Sequence, residues 1–291
     1  MTLPARPRRS VLYMPGANAR ALDKARSLPA DTLILDLEDA VAPDAKAMAR
    51  DQVAAALRAG GYGHRECVVR VNALDTPWGL DDVRVIAQAG ADAVLLPKVQ
   101  SVAQLEALAQ ALDAAGAPAT LPLWAMAETP LGFLRLDAIA GGHPRLAAIV
   151  VGTSDLVKDL HARHTPDRHE TLLARSMAVL AARAHGLAVL DGVHLDLDDD
   201  AGLAAACRQG RDQGFDGKTL IHPKQIAAAN TAFAPTEAEL ASARKRLDAW
   251  RAAQAAGQGV AVVDGALVEN LHAAEAERLL ALAAAIAAAD A

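Results

Sequence analysis

The chain has 291 residues, 53% of them hydrophobic and only 3% aromatic, with a formal net charge of −6. This composition excludes a disordered chain, and the acidic balance argues against a non-specific nucleic-acid binder. The length suffices for one large domain or two small ones, and an Ala-rich, aromatic-poor mix favours many helices over an aromatic-packed β-sandwich.

The start, MTLPARPRRS, is basic, but no apolar leader follows it. No charge-free run of about 18 apolar residues occurs, and the Ala-rich end LLALAAAIAAADA is too short to span a bilayer. A cytoplasmic protein with no membrane partner is expected. Cys67 and Cys207 lie far apart, match no metal-ligand spacing and read as buried reduced thiols.

Short apolar runs alternate with long amphipathic ones. SVLYMPG (10–16) is strand-like and NARALDKARSL (18–28) helix-like; TLILDLED (32–39) is a strand and PDAKAMARDQVAAALRAG (43–60) a helix with Pro and Asp in its first turn. ECVVRVN (66–72) precedes a helix over 77–90 that Gly closes, and DAVLLPKV (92–99) precedes a helix over 101–116 with Ser101 at its N-cap. LPLWAMAE (121–128) and LAAIVVG (146–152) flank helical PLGFLRLDAIAG. AVLDGVH (188–194), a helix from about 198, and GKTLIHP (217–223) complete the pattern.

Eight strand–helix units of this kind argue for a parallel sheet covered by helices, and so for an α/β fold of the closed (β/α)8 TIM-barrel type with a C-terminal helical extension. An open doubly wound sheet would place a Gly-rich phosphate loop after its first strand. The loop here, MPGANAR, lacks the GxGxxG pattern. The expected organisation is a catalytic barrel over 1–233 and an extension or lid over 234–291. The extension reads as a long helix, a hairpin turning at Asp264-Gly265 and a final helix. It is too small for a generous core of its own. It is expected to pack on the barrel or on a neighbouring subunit, which implies a homo-oligomer, trimer or hexamer.

In a barrel the C-terminal strand ends gather at one face, where chemistry sits. Polar residues fall at those ends here: Glu38, Asp39, Arg70, Asn72, Lys98, Glu128, Ser154, Asp155, Asp191, Lys218 and His222. Charges ending apolar strands cost desolvation energy unless paired or metal-bound. Glu128 and Asp155 are 155 − 128 = 27 residues apart, about one βα unit, and so end adjacent strands. Two carboxylates with open positions between them suit Mg²⁺, which keeps waters and accepts substrate oxygens. Each alone would equally serve as a helix cap. Arg70 suits a carboxylate or thioester oxygen, or an inter-strand ion pair with Glu38, Asp39 or Glu128. Glu38 and Asp39 suit hydrogen bonds to metal-bound waters, or helix capping. His222 reads as structural, and His161, His164 and His169 as loop residues.

RRSVLYMPGANARALDKA, LILDLEDAVAPDAKAMAR, VRVN, LLPKV, AETPLG, GTSDL and GKTLIHPKQI occur in that order. In these motifs the chain resembles the citrate lyase β-subunit and its stand-alone relatives in the HpcH/HpaI aldolase superfamily, which include malyl-CoA and citramalyl-CoA lyases. The match covers about residues 8–233 and, more loosely, the tail. The resemblance implies a TIM barrel with Mg²⁺ held by Glu128 and Asp155. It implies that Arg70 contacts substrate, that Glu38 and Asp39 stand near the metal waters, and that Arg20 and Lys24 meet the phosphates of a CoA-like carrier. Relatives carry DGxMID in the tail, with the final Asp as acid/base; this chain has DGALVE, so Glu269 stands there with one extra methylene.

The expected reaction is Mg²⁺-dependent cleavage of a 3-hydroxyacyl thioester, on CoA or an acyl carrier, into an acyl thioester and a 2-oxo acid. Arg70 would stabilise the enolate oxygen and Glu269 protonate its carbon. The alternatives are thioester hydrolysis, malate synthase-like condensation, or a non-catalytic assembly subunit.

Overall fold

The computed structural model describes residues 6–290. The basic start, and with it the beginning of the barrel domain as bounded above, falls partly outside them, as does Ala291. Eight short strands pair in parallel and in sequence order: β1 (Ser10–Pro15), β2 (Thr32–Asp36), β3 (Glu66–Arg70), β4 (Ala93–Leu96), β5 (Leu123–Ala127), β6 (Leu146–Val151), β7 (Ala188–Asp191) and β8 (Gly217–Leu220). β8 hydrogen-bonds back to β1, which closes the barrel as the eight-unit pattern predicts.

Alternation along each strand sorts the apolar side chains into two cores. Val11, Ile34, Val68, Ala93, Leu95, Trp124, Met126, Ala148, Val150 and Leu190 fill the barrel interior. The opposite parity, such as Leu12, Leu33, Leu35 and Val69, packs outward under the helices. Trp124 is fully buried in the interior and plugs it with the largest side chain there.

The helices are α1 (Ala19–Lys24), α2 (Lys46–Ala59), α3 (Gly79–Ile86), α4 (Val102–Ala114), α5 (Pro130–Leu134), α6 (Leu136–Gly141), α7 (Thr153–Asp159), α8 (Leu172–Ala184), α9 (Asp200–Gln213) and α10 (Ile226–Phe233). Ser101 occupies the N-cap of α4, and its N–H donates to the Gln104 side chain at 3.1 Å. The helical stretch expected over PLGFLRLDAIAG divides in two, because Arg135 leaves the helical region at φ −111° and ψ 9°.

Residues 234–290, together with Arg6 and Pro7, form a second compact unit, distinct from Arg8–Phe233. It contains α11 (Glu237–Ala255), the antiparallel strands β9 (Ala261–Val263) and β10 (Ala266–Val268), and α12 (Asn270–Asp290). Asp264 and Gly265 both take positive φ, 52° and 78°, as a tight two-residue hairpin requires. α11 and α12 pack through Ala243, Leu247, Ala273 and Ala276. Among the described residues no helix is long and apolar enough to cross a membrane. Both cysteines are buried and neither forms a disulfide.

The interior plug sets the first prediction. Trp124→Ala should cost about 3–5 kcal/mol, because the cavity it leaves is ringed by strands that cannot collapse. Urea unfolding of the two proteins measures this.

Candidate active site

The interior parity that buries Ile34, Val68 and Trp124 continues to Asp36, Arg70 and Glu128 at the C-terminal ends of their strands. Asp36 and Arg70 are direct register partners on β2 and β3. Their side chains form a two-pronged ion pair, Arg70 Nε to Asp36 Oδ1 at 2.7 Å and Nη2 to Oδ2 at 2.6 Å. The remaining guanidinium nitrogen, Nη1, lies 3.0 Å from Glu38 Oε2 and 3.7 Å from Asp39 Oδ2. The Tyr13 ring lies beside the guanidinium, 4.9 Å from its carbon. Burial works against the charged guanidinium, but the Asp36 hydrogen bonds and charge outweigh it and hold the pKa well above the ordinary value. The inter-strand pairing weighed for Arg70 is therefore present. Its main partner is Asp36, which the sequence reading passed over, although its parity within TLILD is the signal for it.

Glu128 follows β5 and is buried at 3% exposure. Its Oε1 accepts the Lys98 backbone N–H at 2.8 Å. Its Oε2 accepts no hydrogen bond, and the carboxyl makes no ion pair, among the described residues. Burial pushes this carboxyl up to about 7, against the pull of the Lys98 ammonium. Gly152, just after β6, makes room for it: a Cβ there would stand 2.5 Å from Glu128 Cβ and 2.6 Å from Oε2. Glu128 is not a helix cap, because Thr129 caps α5 by accepting from the Gly132 N–H at 3.1 Å. Asp155 sits in the first turn of α7, where the N-cap is Gly152, so it is no side-chain cap either.

Lys98 joins these groups. Its Nζ donates to Glu38 Oε1 at 2.6 Å and lies 3.5 Å from Asp155 Oδ2. Burial lowers the tendency of this ammonium to stay charged, but the Glu38 hydrogen bond and charge raise its pKa overall. Burial likewise raises Glu38, despite Arg70 and Lys98 nearby. Asp36, Asp39, Arg70, Met126, Glu128, Gly152 and Asp155 line one cavity of about 340 Å³.

These residues fit a hard divalent cation. The Glu128 carboxyl is almost wholly buried and lines the cavity with an oxygen that has no protein partner, and Asp155 shares that cavity. The donors are all oxygens, as Mg²⁺ prefers, and few enough to leave positions for water and substrate. Among the described residues no group of three His, Cys, Asp or Glu is gathered as a closed metal cage.

The other rim residues are placed differently. Asp191, fully buried, takes Arg168 in two bonds of 2.8 and 2.6 Å and Lys218 at 3.0 Å. Burial would raise its pKa, but the Lys218 and Arg168 charges bring it down to about 2. Asn72 donates to the Leu37 carbonyl at 2.8 Å and to Asp82 at 2.6 Å, and so ties strand ends together. His222 Nδ1 accepts the Lys224 N–H at 3.2 Å in a short turn. His161 and His164 are exposed loop residues, and His169 opens a 3₁₀ turn. Arg20 and Lys24 are exposed one helical turn apart on α1, the helix that follows β1. Glu269 belongs to the second unit, immediately after β10, where its N–H donates to His272 Nδ1 at 3.0 Å.

The model of the family described as HpcH/HpaI aldolase/citrate lyase matches residues 9–223, the barrel and its rim. The chain belongs to that family. It is an enzyme family, and its members among the relatives below span nearly the whole chain. A (3S)-malyl-CoA thioesterase of Cereibacter sphaeroides strain KD131 is 52% identical over 284 residues, covering 98% of this chain and 97% of that one. The citrate lyase subunit beta of Escherichia coli K12 is 38% identical over 270 residues, covering 91% and 89%. The crystal structure of CitE from Mycobacterium tuberculosis, in complex with magnesium, acetoacetate and coenzyme A, superposes with a TM-score of 0.76 at 30% identity, covering 96% of this chain and 98% of that one.

Two predictions follow from the site's geometry. Gly152→Ala should displace the Glu128 carboxyl by about 1 Å and lower kcat about a hundredfold, with circular dichroism unchanged. Asp191→Asn should cost about 3–5 kcal/mol in urea unfolding, because it strands the fully buried Lys218 ammonium and leaves the half-buried Arg168 without its carboxylate. In the parent protein Asp191 has a depressed pKa, so its contribution is whole above about pH 4. It amounts to about 2 kcal/mol and is lost as pH falls through about 2. Acid unfolding followed by tryptophan fluorescence checks the direction.

Proposed function

We propose that the protein hydrolyses a 3-hydroxyacyl thioester of the malyl-CoA type with the help of Mg²⁺. The observation that carries the site reading is the unpartnered oxygen of buried Glu128, in the cavity it shares with Asp155 and Arg70. The preference for hydrolysis rests on the 52% identity, over 98% of the chain, to a (3S)-malyl-CoA thioesterase. Glu128 and Asp155 would hold the ion. When bound, Mg²⁺ supplies Lewis-acid polarisation of substrate oxygens and neutralises developing negative charge.

The chain's own groups do the rest. Asp36 holds Arg70 in a fixed plane, so its Nη1 edge is preorganised to stabilise negative charge on the thioester oxygen without reorganising. Glu38 and Asp39 accept hydrogen bonds from water at the mouth and orient it for attack. Water adds to the thioester carbon as one of these carboxylates takes its proton, the C–S bond then breaks, and the departing thiolate takes a proton from that carboxyl or from solvent. Arg20 and Lys24 are suited to the carrier's phosphates.

Carbon–carbon lysis is the second reading, and the 38% identity to a citrate lyase β-subunit favours it. It needs a group to protonate the enolate carbon, a role that would fall to Glu269. Glu269 lies in the second compact unit, and the lyase relative is less similar, at 38% against 52% identity. Cytoplasmic location and assembly into a homo-oligomer, trimer or hexamer, belong to the same proposal.

With (3S)-malyl-CoA and Mg²⁺, the expected products are malate and free CoA thiol, read with a thiol reagent. Release of glyoxylate with the thioester intact would instead establish lysis. Glu128→Ala and Asp155→Ala should each lose about a hundredfold or more in kcat, as the removal of several kcal/mol of charge stabilisation requires. If both variants keep the parent rate, the carboxylate pair does not hold the metal.

A further inference from the structure

Lys98 stands two residues past the end of β4 in a backbone conformation that lysine seldom takes, with φ +51°. Residues held in the left-handed region cluster where the surrounding structure has a use for them. Here the turn lets one residue serve both members of the carboxylate pair. Its backbone N–H donates to Glu128 at 2.8 Å, and its ammonium lies 3.5 Å from Asp155. The same ammonium makes its shortest bond, 2.6 Å, to Glu38 and stands 4.0 Å from Asp39.

We propose that Lys98 is a tethered internal counter-ion, which holds the carboxylates of the cation site together before a divalent ion arrives and competes with that ion for Asp155. The proposal rests on the reading of Glu128 and Asp155 as the Mg²⁺ pair. The distances argue for competition. At 3.5 Å the ammonium neutralises Asp155 without a tight hydrogen bond, whereas at 2.6 Å it is firmly held by Glu38. A lysine stem is long and flexible. It can withdraw onto Glu38 and free Asp155, while its backbone N–H stays on Glu128. Before it withdraws, an incoming dication meets a positive charge at one of its two ligands. Lys158 lies 3.7 Å from the other Asp155 oxygen with or without Lys98, so the share of Lys98 is separable, and the affinity of the site is set below that of the same carboxylates without Lys98.

Isothermal titration of Mg²⁺ into the substrate-free protein tests this, in the parent chain, in Lys98→Met and in Lys98→Gly. Glycine suits a positive φ, so that variant keeps the fold even where Met strains it. Both variants are expected to bind Mg²⁺ about tenfold tighter or more, since one opposing charge within about 4 Å is gone. Their melting temperatures should also rise more on addition of Mg²⁺ than that of the parent protein. Equal or weaker affinity in the variants overturns the role of Lys98 and leaves the metal pair standing. Absence of binding in all three proteins overturns the carboxylate pair, and the proposal with it.

Discussion

The bidentate pair between Asp36 and Arg70 organises the mouth of this barrel. Both groups are buried and both are charged, and neither would be tolerable there alone. Because they are register partners on β2 and β3, the pair costs no distortion of the sheet. It locks the guanidinium against the Tyr13 ring and turns the remaining nitrogen toward Glu38, with which it pairs, and Asp39. A cation fixed in that way allows further carboxylates to be brought to the same rim.

That rim nonetheless carries more acid than the cations at its centre pair off. Lys98 bridges Glu38 and Asp155, while Glu128 receives only a backbone N–H. Stability alone would favour fewer buried carboxylates, and the raised pKa of Glu128 measures that tension. The deeper network of Asp191, Arg168 and Lys218 is a contrast in the same barrel. There one carboxylate meets two cations, its pKa falls, and no donor is left over for a ligand. The Asp191 brace lies on the outward side of β7 and β8, against α9, whereas the carboxylate rim is left short of positive charge and opens onto the cavity.

Hydrolysis and lysis share most of this machinery. Both need negative charge stabilised at the thioester oxygen, which is the task suited to Arg70. They part at the fate of the carbon skeleton, where lysis needs a proton delivered to carbon and hydrolysis needs an attacking water. The family resemblance covers the shared part.

Much of the fold was legible in the chain itself. Strand and helix periods, Gly and Pro punctuation and the eightfold repetition determine a closed α/β barrel, because fully apolar strands must be covered on both faces. Strand-end position was enough to single out Arg70, Glu128 and Asp155 and to send them to one mouth. Pairing was not legible, since it depends on which strands become neighbours and in what register. Asp36 looked like one more residue of TLILD until its neighbour proved to be Arg70. Lys98, by position just another rim residue, came to bridge the carboxylates only through a left-handed turn that no local propensity of lysine favours. Asp191 and Lys218, alike in sequence to the other rim charges, became a closed brace because Arg168 arrives from a distant loop. Local sequence determined which groups reach the mouth; burial and long-range pairing, which exist only in the folded chain, decided which of them remain available for chemistry.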